Sequence, residues 1–252
     1  MAKNESRGEV VVCRDLQELS NEAAGQFVRL AKEAAQARGS FAVALSGGST
    51  PRTLYGLLAG APWREQVPWD KAHFFWGDER CVPPDHPASN YRLAQESLLS
   101  KVPLPARNIH RMPGEEADPQ AGAARYAAEL RQFFNLAAGS WPRFDLFLLG
   151  MGEDGHTASL FPGTAALGNR IDLVVALYVQ ELQTHRLTLT PPVLNNAANI
   201  FFLVSGPGKA KALQEVLQGE FRPAQLPAQA IRPTDGRLLW LVDRVAASYL
   251  SL

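Results

Sequence analysis

The sequence predicts an open, mostly parallel α/β sheet with helices on both faces, folded as one domain over residues 1–252. Three observations carry that expectation. Short apolar runs alternate with longer stretches of three-to-four periodicity, the pattern of parallel strands joined by crossover helices. The run 144–149, FDLFLL, is apolar but for Asp145, as a strand buried on both faces requires. Glycine-rich turns follow the runs that end at Leu45, Leu149 and Val204, and in open α/β sheets ligands sit beyond the carboxyl ends of strands.

Taken in order, residues 9–13 are expected as a first strand and 15–38 as a long helix. Its apolar stripe is Leu16, Leu19, Ala23, Phe27, Leu30 and Ala34, and Gly39 stops it. A second strand covers 41–45, the turn Ser46-Gly47-Gly48-Ser49-Thr50 follows, and Pro51 fits the first position of a helix reaching about residue 59. The third strand, 73–76, leads into a charged loop at Gly77-Asp78-Glu79-Arg80 and then a helix at about 90–99. Residues 109–112 are a candidate strand, and 119–134 a helix before the central run. Further strands are expected at 173–179, 186–189 and 199–204, with a short helix at 191–196. A helix at 209–218 and a strand at 238–242 come next, and 245–250 closes the chain. Residues 219–227, with two prolines and no periodicity, are expected to be the least ordered.

Composition narrows the function. Lysine plus arginine balance aspartate plus glutamate at 25 each, so nothing in the net charge favours nucleic acid or an acidic membrane. Any anion site must be local. The two cysteines, Cys13 and Cys81, lie far apart and suit a reducing, cytoplasmic setting. The N-terminus MAKNESRGEV has no apolar signal-type segment, and no run approaches the about 18 apolar residues of a membrane span.

The chemistry concentrates at Gly150-Met151-Gly152-Glu153-Asp154-Gly155-His156. Its glycines spell G-x-G-x-x-G, but a dinucleotide site needs a long helix directly behind them, whereas Phe161-Pro162-Gly163 closes the stretch. The glycines are better assigned to presenting His156, a side chain able to act as base and then acid near neutrality. Ser46 to Thr50 leaves helix N–H groups pointing outward, an anion cradle rather than a simple cap. Arg52 in the first turn would oppose the dipole unless an anion sat there. Gly206-Pro207-Gly208-Lys209 repeats the arrangement, and Arg186 adds a third cation. Together these suggest one phosphate gripped by helix N-termini and point charges. Asp78, Glu79 and Arg80 follow the third strand, again where ligands bind. His73, His86, His110 and His185 show no metal spacing, and no G-x-S-x-G elbow is present, so hydrolysis would use activated water.

Five segments, LSGGSTPRTLY (45–55), FFWGDERCVPPDHPASNY (74–91), LLGMGEDGHTASLFPG (148–163), HRLTLTPPVLNNA (185–197) and LVSGPGKAKAL (203–213), together resemble the 6-phosphogluconolactonase family. The resemblance is colinear over nearly the whole chain. It implies a Rossmann-like sheet shared with sugar-phosphate isomerases. The implied reaction is hydrolysis of 6-phospho-D-glucono-1,5-lactone in the oxidative pentose phosphate pathway, without metal or organic cofactor. It places the catalytic histidine at His156 and the phosphate at Gly47, Gly48, Ser49 and Thr50 with Arg186 and Lys209. Asp78 and Arg80 fall near the sugar end. Arg80 is the candidate oxyanion donor, while Asp154 either orients the imidazole or caps the following turn. The partner expected is a small sugar-phosphate lactone bound by a monomer.

Two rival readings are weaker. Glucosamine-6-phosphate deaminases continue the histidine loop as G-H-I-A-F-N-E-P, and Phe161 stands here where that family has its glutamate. A sugar-phosphate sensor would carry a DNA-reading module ahead of the domain, and the first strand is expected by about residue 9.

Overall fold

The computed structural model describes residues 7–251, and the N-terminal stretch 1–6 lies outside them. Its strands are β1 (Glu9–Cys13), β2 (Phe41–Leu45), β3 (Ala72–Trp76), β4 (Asp78–Arg80), β5 (Leu146–Leu149), β6 (Val174–Val179), β7 (Thr184–Leu189), β8 (Asn199–Val204) and β9 (Arg237–Asp243). The helices are α1 (Leu16–Arg38), α2 (Ser49–Leu58), α3 (Asn90–Ser97), α4 (Pro119–Phe133), α5 (Pro191–Asn195) and α6 (Ala210–Gln218). Six strands form one wholly parallel sheet in the order β1-β9-β8-β5-β2-β3, flanked by helices. Every residue of β2 and β5 is buried, which explains why these strands are apolar runs rather than alternating ones. Among the described residues, no helix is long and apolar enough to cross a membrane.

Local signals account for most boundaries. Asp15 caps α1 by accepting from the Glu18 N–H at 2.9 Å, and Gly39 ends it in the left-handed region at φ 76°. Asp145, the one polar residue in the central run, sits just before β5. Its carboxylate accepts from the Ala42 N–H at 2.8 Å and pairs with Arg38. Burial pushes that carboxyl up despite these bonds.

Several expectations need correction. Asp78, Glu79 and Arg80 are a strand, not a loop, and β4-β7-β6 make a second, antiparallel sheet standing beyond the end of β3. Residues 109–112 contribute only a single bridge, Ile109 to Phe74. α2 begins at Ser49 with Gly48 as its cap, so Pro51 is the third helical residue rather than the first. Residues 245–250 form turns. Residues 219–227 are tied down by buried Gln229, which accepts from the Arg222 N–H at 2.6 Å and donates to the Glu215 and Glu220 carbonyls. That amide, the Ala224 carbonyl accepting from the Gly163 N–H at 3.0 Å and the Arg222–Glu215 ion pair supply order where periodicity is missing.

The small sheet is attached through Glu79, which is 2% exposed. Its carboxylate accepts from the Arg80, Asn90 and Tyr91 backbone N–H groups at 2.7, 2.7 and 2.8 Å and from the Ser89 hydroxyl at 3.1 Å. It therefore caps α3 from another element. Burial pushes this carboxyl up, and the three N–H bonds oppose that only in part. Glu79→Ala would strand two helix-terminal donors and the Arg80 N–H, each costing about 1–3 kcal/mol when buried and unpaired. Urea unfolding should show a loss of at least about 3 kcal/mol. A loss below about 1 kcal/mol would mean that water replaces the carboxylate and that Glu79 does not anchor the sheet.

Candidate functional site

The order of the large sheet reverses between β2 and β5: β3 lies on one side, β8 and β9 on the other. Open sheets take ligands at such a switch point. The turns after β2, β5 and β8 meet there around a cleft of about 200 Å³ lined by Ser46, Gly47, Gly48, Asp78, Arg80, Asn90, Gly150, Met151, Gly152, His156, Ala158 and Lys209. A smaller cavity of about 120 Å³ shares Gly47, Gly48, Gly150, Met151 and Lys209 with it and adds Ser49 and Thr50.

Gly48 caps α2 at φ 110° with no side-chain hydrogen bond. The Arg52 N–H is taken by the Gly48 carbonyl at 3.2 Å and Pro51 has none, so the Ser49 and Thr50 N–H groups remain as the open donors of this terminus. They line the small cavity with Lys209, giving an anion cradle. Arg52 is exposed and lines neither cavity, so the anion argument built on it from sequence has no counterpart in the geometry.

At the other side the β5 turn presents His156. Its Nδ1 lies 2.6 Å from Asp154 Oδ1, the same oxygen accepts from the His156 backbone N–H at 3.1 Å, and the ring stacks on Phe161 at 4.3 Å. Burial alone would raise the Asp154 carboxyl, but the hydrogen bonds from His156 outweigh it and hold it below the ordinary carboxylate value. An ionised carboxylate can only accept, so Nδ1 carries the proton and Nε2 holds the lone pair. The turn leaves no space for variation: a Cβ on Gly152 would collide with His156 Nδ1 and Asp154 Oδ1. Gly155, at φ 77°, faces Leu226.

Asp78 and Arg80 enter from β4. Asp78 is 7% exposed and accepts from the Ser159 hydroxyl at 2.6 Å. The Arg80 guanidinium donates to the Ala88 carbonyl. Arg186 is cross-strand from Arg80 on β7, is 8% exposed and lines neither cavity. Burial, then the neighbouring Arg80 charge, pushes its pKa down. Paired residues of an antiparallel ladder project from the same face, so Arg186 stands beside Arg80 on one face of the small sheet, outside the lining of the two cavities. The structure thus brings together Gly47, Gly48, Ser49, Thr50, Lys209, His156, Asp154, Asp78 and Arg80, and leaves Arg186 out.

Asn90 and Ser159 were missed from sequence. Asn90 lines the cleft at 2% exposure and donates to the Asp78 carbonyl at 2.9 Å. A Cβ on Gly47 would collide with its amide. The one available signal was the presence of both residues inside the charged-loop and histidine-loop motifs. Among the described residues, no cluster of histidine, cysteine and carboxylate side chains has the arrangement of a metal site.

A parallel sheet with an anion cradle and a histidine–aspartate pair meeting at its switch point defines an α/β protein built for a small phosphorylated ligand. The chain belongs to the family of glucosamine-6-phosphate isomerases and 6-phosphogluconolactonase, whose model matches residues 14–240. It is 48% identical over 224 residues to the 6-phosphogluconolactonase of Synechocystis sp., covering 88% of this chain and 89% of that one. Identity to the Nostoc sp. 6-phosphogluconolactonase is 44%, over 85% and 87% of the two chains. The solved 6-phosphogluconolactonase from Trypanosoma cruzi superposes with a TM-score of 0.84 at 26% identity, covering 97% of each chain.

The cradle can be tested without any reaction. A hydrogen bond to a charged group is worth about 1.5–3 kcal/mol, so Lys209→Ala should weaken binding of inorganic phosphate about tenfold or more by calorimetric titration. Arg52→Ala should leave it unchanged. Equal loss in the two variants would indicate diffuse attraction and remove the cradle.

Proposed function

We propose that this chain is a 6-phosphogluconolactonase, hydrolysing 6-phospho-D-glucono-1,5-lactone to 6-phospho-D-gluconate in the oxidative pentose phosphate pathway. The observation that carries the reading is the Asp154-held His156 facing the Lys209 cradle across one cleft. Its place between homologous lactonases supports the substrate.

The phosphate docks at Gly47, Gly48, Ser49 and Thr50 with Lys209, and its remote binding energy orients the ring. Asp154 holds the imidazole so that Nε2 accepts a proton from water as that water attacks the lactone carbonyl. The carbonyl oxygen becomes an oxyanion, stabilised by the Arg80 guanidinium. As the tetrahedral intermediate collapses, the carbon to ring-oxygen bond breaks. The imidazolium returns its proton to that oxygen, leaving an open-chain acid that ionises. Asp78 holds the sugar end. Arg186, beside Arg80 on the same face of the small sheet, adds positive potential. Phe161, stacked on His156, has no ionisable group to relay a proton, which separates this chemistry from amino-sugar deamination.

The deciding assay follows freshly prepared phosphogluconolactone with its spontaneous opening subtracted. Wild type should hydrolyse it, and His156→Ala should lower kcat by about 10²-fold or more, since a general base contributes typically 10²–10⁴-fold. A variant of near-normal turnover would remove His156 from the mechanism. Unphosphorylated glucono-1,5-lactone should be a poor substrate. Lys209→Ala should lower kcat/KM on the phospholactone about 10- to 100-fold and scarcely change the residual rate on the unphosphorylated lactone. Equal proportional losses on the two lactones would place Lys209 outside phosphate recognition.

A further inference from the structure

Between His156 and Leu160 the chain makes a tight turn in which Ala158 adopts φ 48° and lines the cleft. The turn sends the next side chain, Ser159, behind the cleft wall, where it is fully buried. Its hydroxyl donates to Asp78 Oδ2 at 2.6 Å. Its own N–H donates to Thr188 Oγ1 at 3.3 Å, and that hydroxyl donates on to the Leu189 carbonyl. Thr188 is the cross-strand partner of Asp78. The histidine turn and the Asp78 strand are therefore locked to each other through Ser159, which neither carries the proton chemistry nor lines the cleft.

The lock treats the two carboxylate oxygens differently. Oδ2 is held by a short bond, whereas Oδ1 meets only the Asn90 amide, at 3.4 Å. That amide is already committed to the Asp78 carbonyl at 2.9 Å. Asp78 lines the cleft, and Oδ1 is the less engaged of its two oxygens. A carboxylate with one fixed and one spare oxygen is a directional acceptor for a hydroxyl. We infer that Ser159 is a positioning residue for substrate specificity, fixing Asp78 so that Oδ1 reads one ring hydroxyl of the lactone. Asn90 supports it from the opposite side. The inference rests on the lactonase reading and adds to it the group that selects among polyhydroxylated rings.

The test compares kcat/KM of wild type and Ser159→Ala on the natural phospholactone and on three analogues, each lacking one ring hydroxyl, with thermal unfolding alongside. Wild type should discriminate against one analogue by about 10- to 100-fold, the worth of a hydrogen bond to a charged acceptor. In Ser159→Ala that preference should shrink to within about threefold. The loss should come from the natural substrate while the rate on the analogue stays nearly constant. Asp78→Asn should flatten the preference in the same way, and the double variant should add little, as expected for residues acting as one unit. Should Ser159→Ala fail to fold, Ser159→Cys replaces the hydroxyl with a poor donor of similar size and is read identically. Preference fully retained, whatever happens to the rates or the unfolding temperature, would reduce Ser159 to a structural part and overturn the inference alone. No hydrolysis by wild type would overturn the lactonase reading and this inference together.

Discussion

The cleft exists because three glycines surrender the volume of a Cβ to a polar side chain from another part of the site. On Gly47 that atom would strike Asn90, on Gly152 it would strike His156 and Asp154, and on Gly208 it would strike Glu153. These glycines lie in the turns after β2, β5 and β8, strands that are neighbours in the sheet. Strand spacing fixes how far apart adjacent turns can be, roughly 5 Å per step. Within that spacing there is room for a ligand and for the side chains that bind it only if the backbone itself is bare. Steric clearance at these three positions is thus a condition for placing Asn90, the His156–Asp154 pair and Glu153 as observed.

The second constraint is electrostatic, and it gives the cleft two unlike ends. One end offers helix N–H groups and Lys209, which favour a compact anion. The other carries Asp78, Arg80 and the His156–Asp154 pair, where charge of both signs is fixed by hydrogen bonds within the protein. Asp154 remains ionised because His156 stabilises its charge against burial. That choice fixes the tautomer of the imidazole, and with it the nitrogen able to accept a proton. Arg186 adds positive potential beside Arg80 at the expense of its own desolvation. One end thus suits a compact anion and the other a neutral polar group.

Much of this was legible in the sequence where geometry follows from local chemistry. The apolar runs of β2, β5 and β8 announce strands buried on both faces, and Gly48 announces a turn that needs positive φ. The Gly-Asp-Gly-His turn announced its own histidine. Legibility ended where position depends on partners distant in sequence. Asp78-Glu79-Arg80 has no apolar residue, so nothing marks it as a strand. It is one because Arg186, Leu187 and Thr188 pair with it. The same pairing sets Arg186 beside Arg80 on one face of the small sheet, which sequence order alone cannot reveal. Residues 219–227 gain order from Gln229, a polar residue whose burial has no periodic signature. Asn90 and Ser159 escaped notice for the same reason, since their function is defined by what they touch.

Phe161 and Ser159 bear on how one scaffold separates related reactions. The matching family model spans both glucosamine-6-phosphate isomerases and 6-phosphogluconolactonase, so side chains of the histidine turn are one place where a difference in chemistry can reside. Here one flank is Phe161, stacked on the ring, which packs His156 without supplying a proton donor. The other is Ser159, whose hydroxyl is spent on Asp78. In the proposed hydrolysis, with Phe161 inert and Asp78 pinned, His156 is the proton carrier of the turn. Water attack followed by return of the same proton needs one such carrier, because the group that takes the proton also gives it back. Isomerisation with loss of ammonia moves protons at more than one atom of an open chain, and so calls for more than one. The turn GHTASLF, with one imidazole and Phe161 packed against it, therefore suits the hydrolysis proposed above.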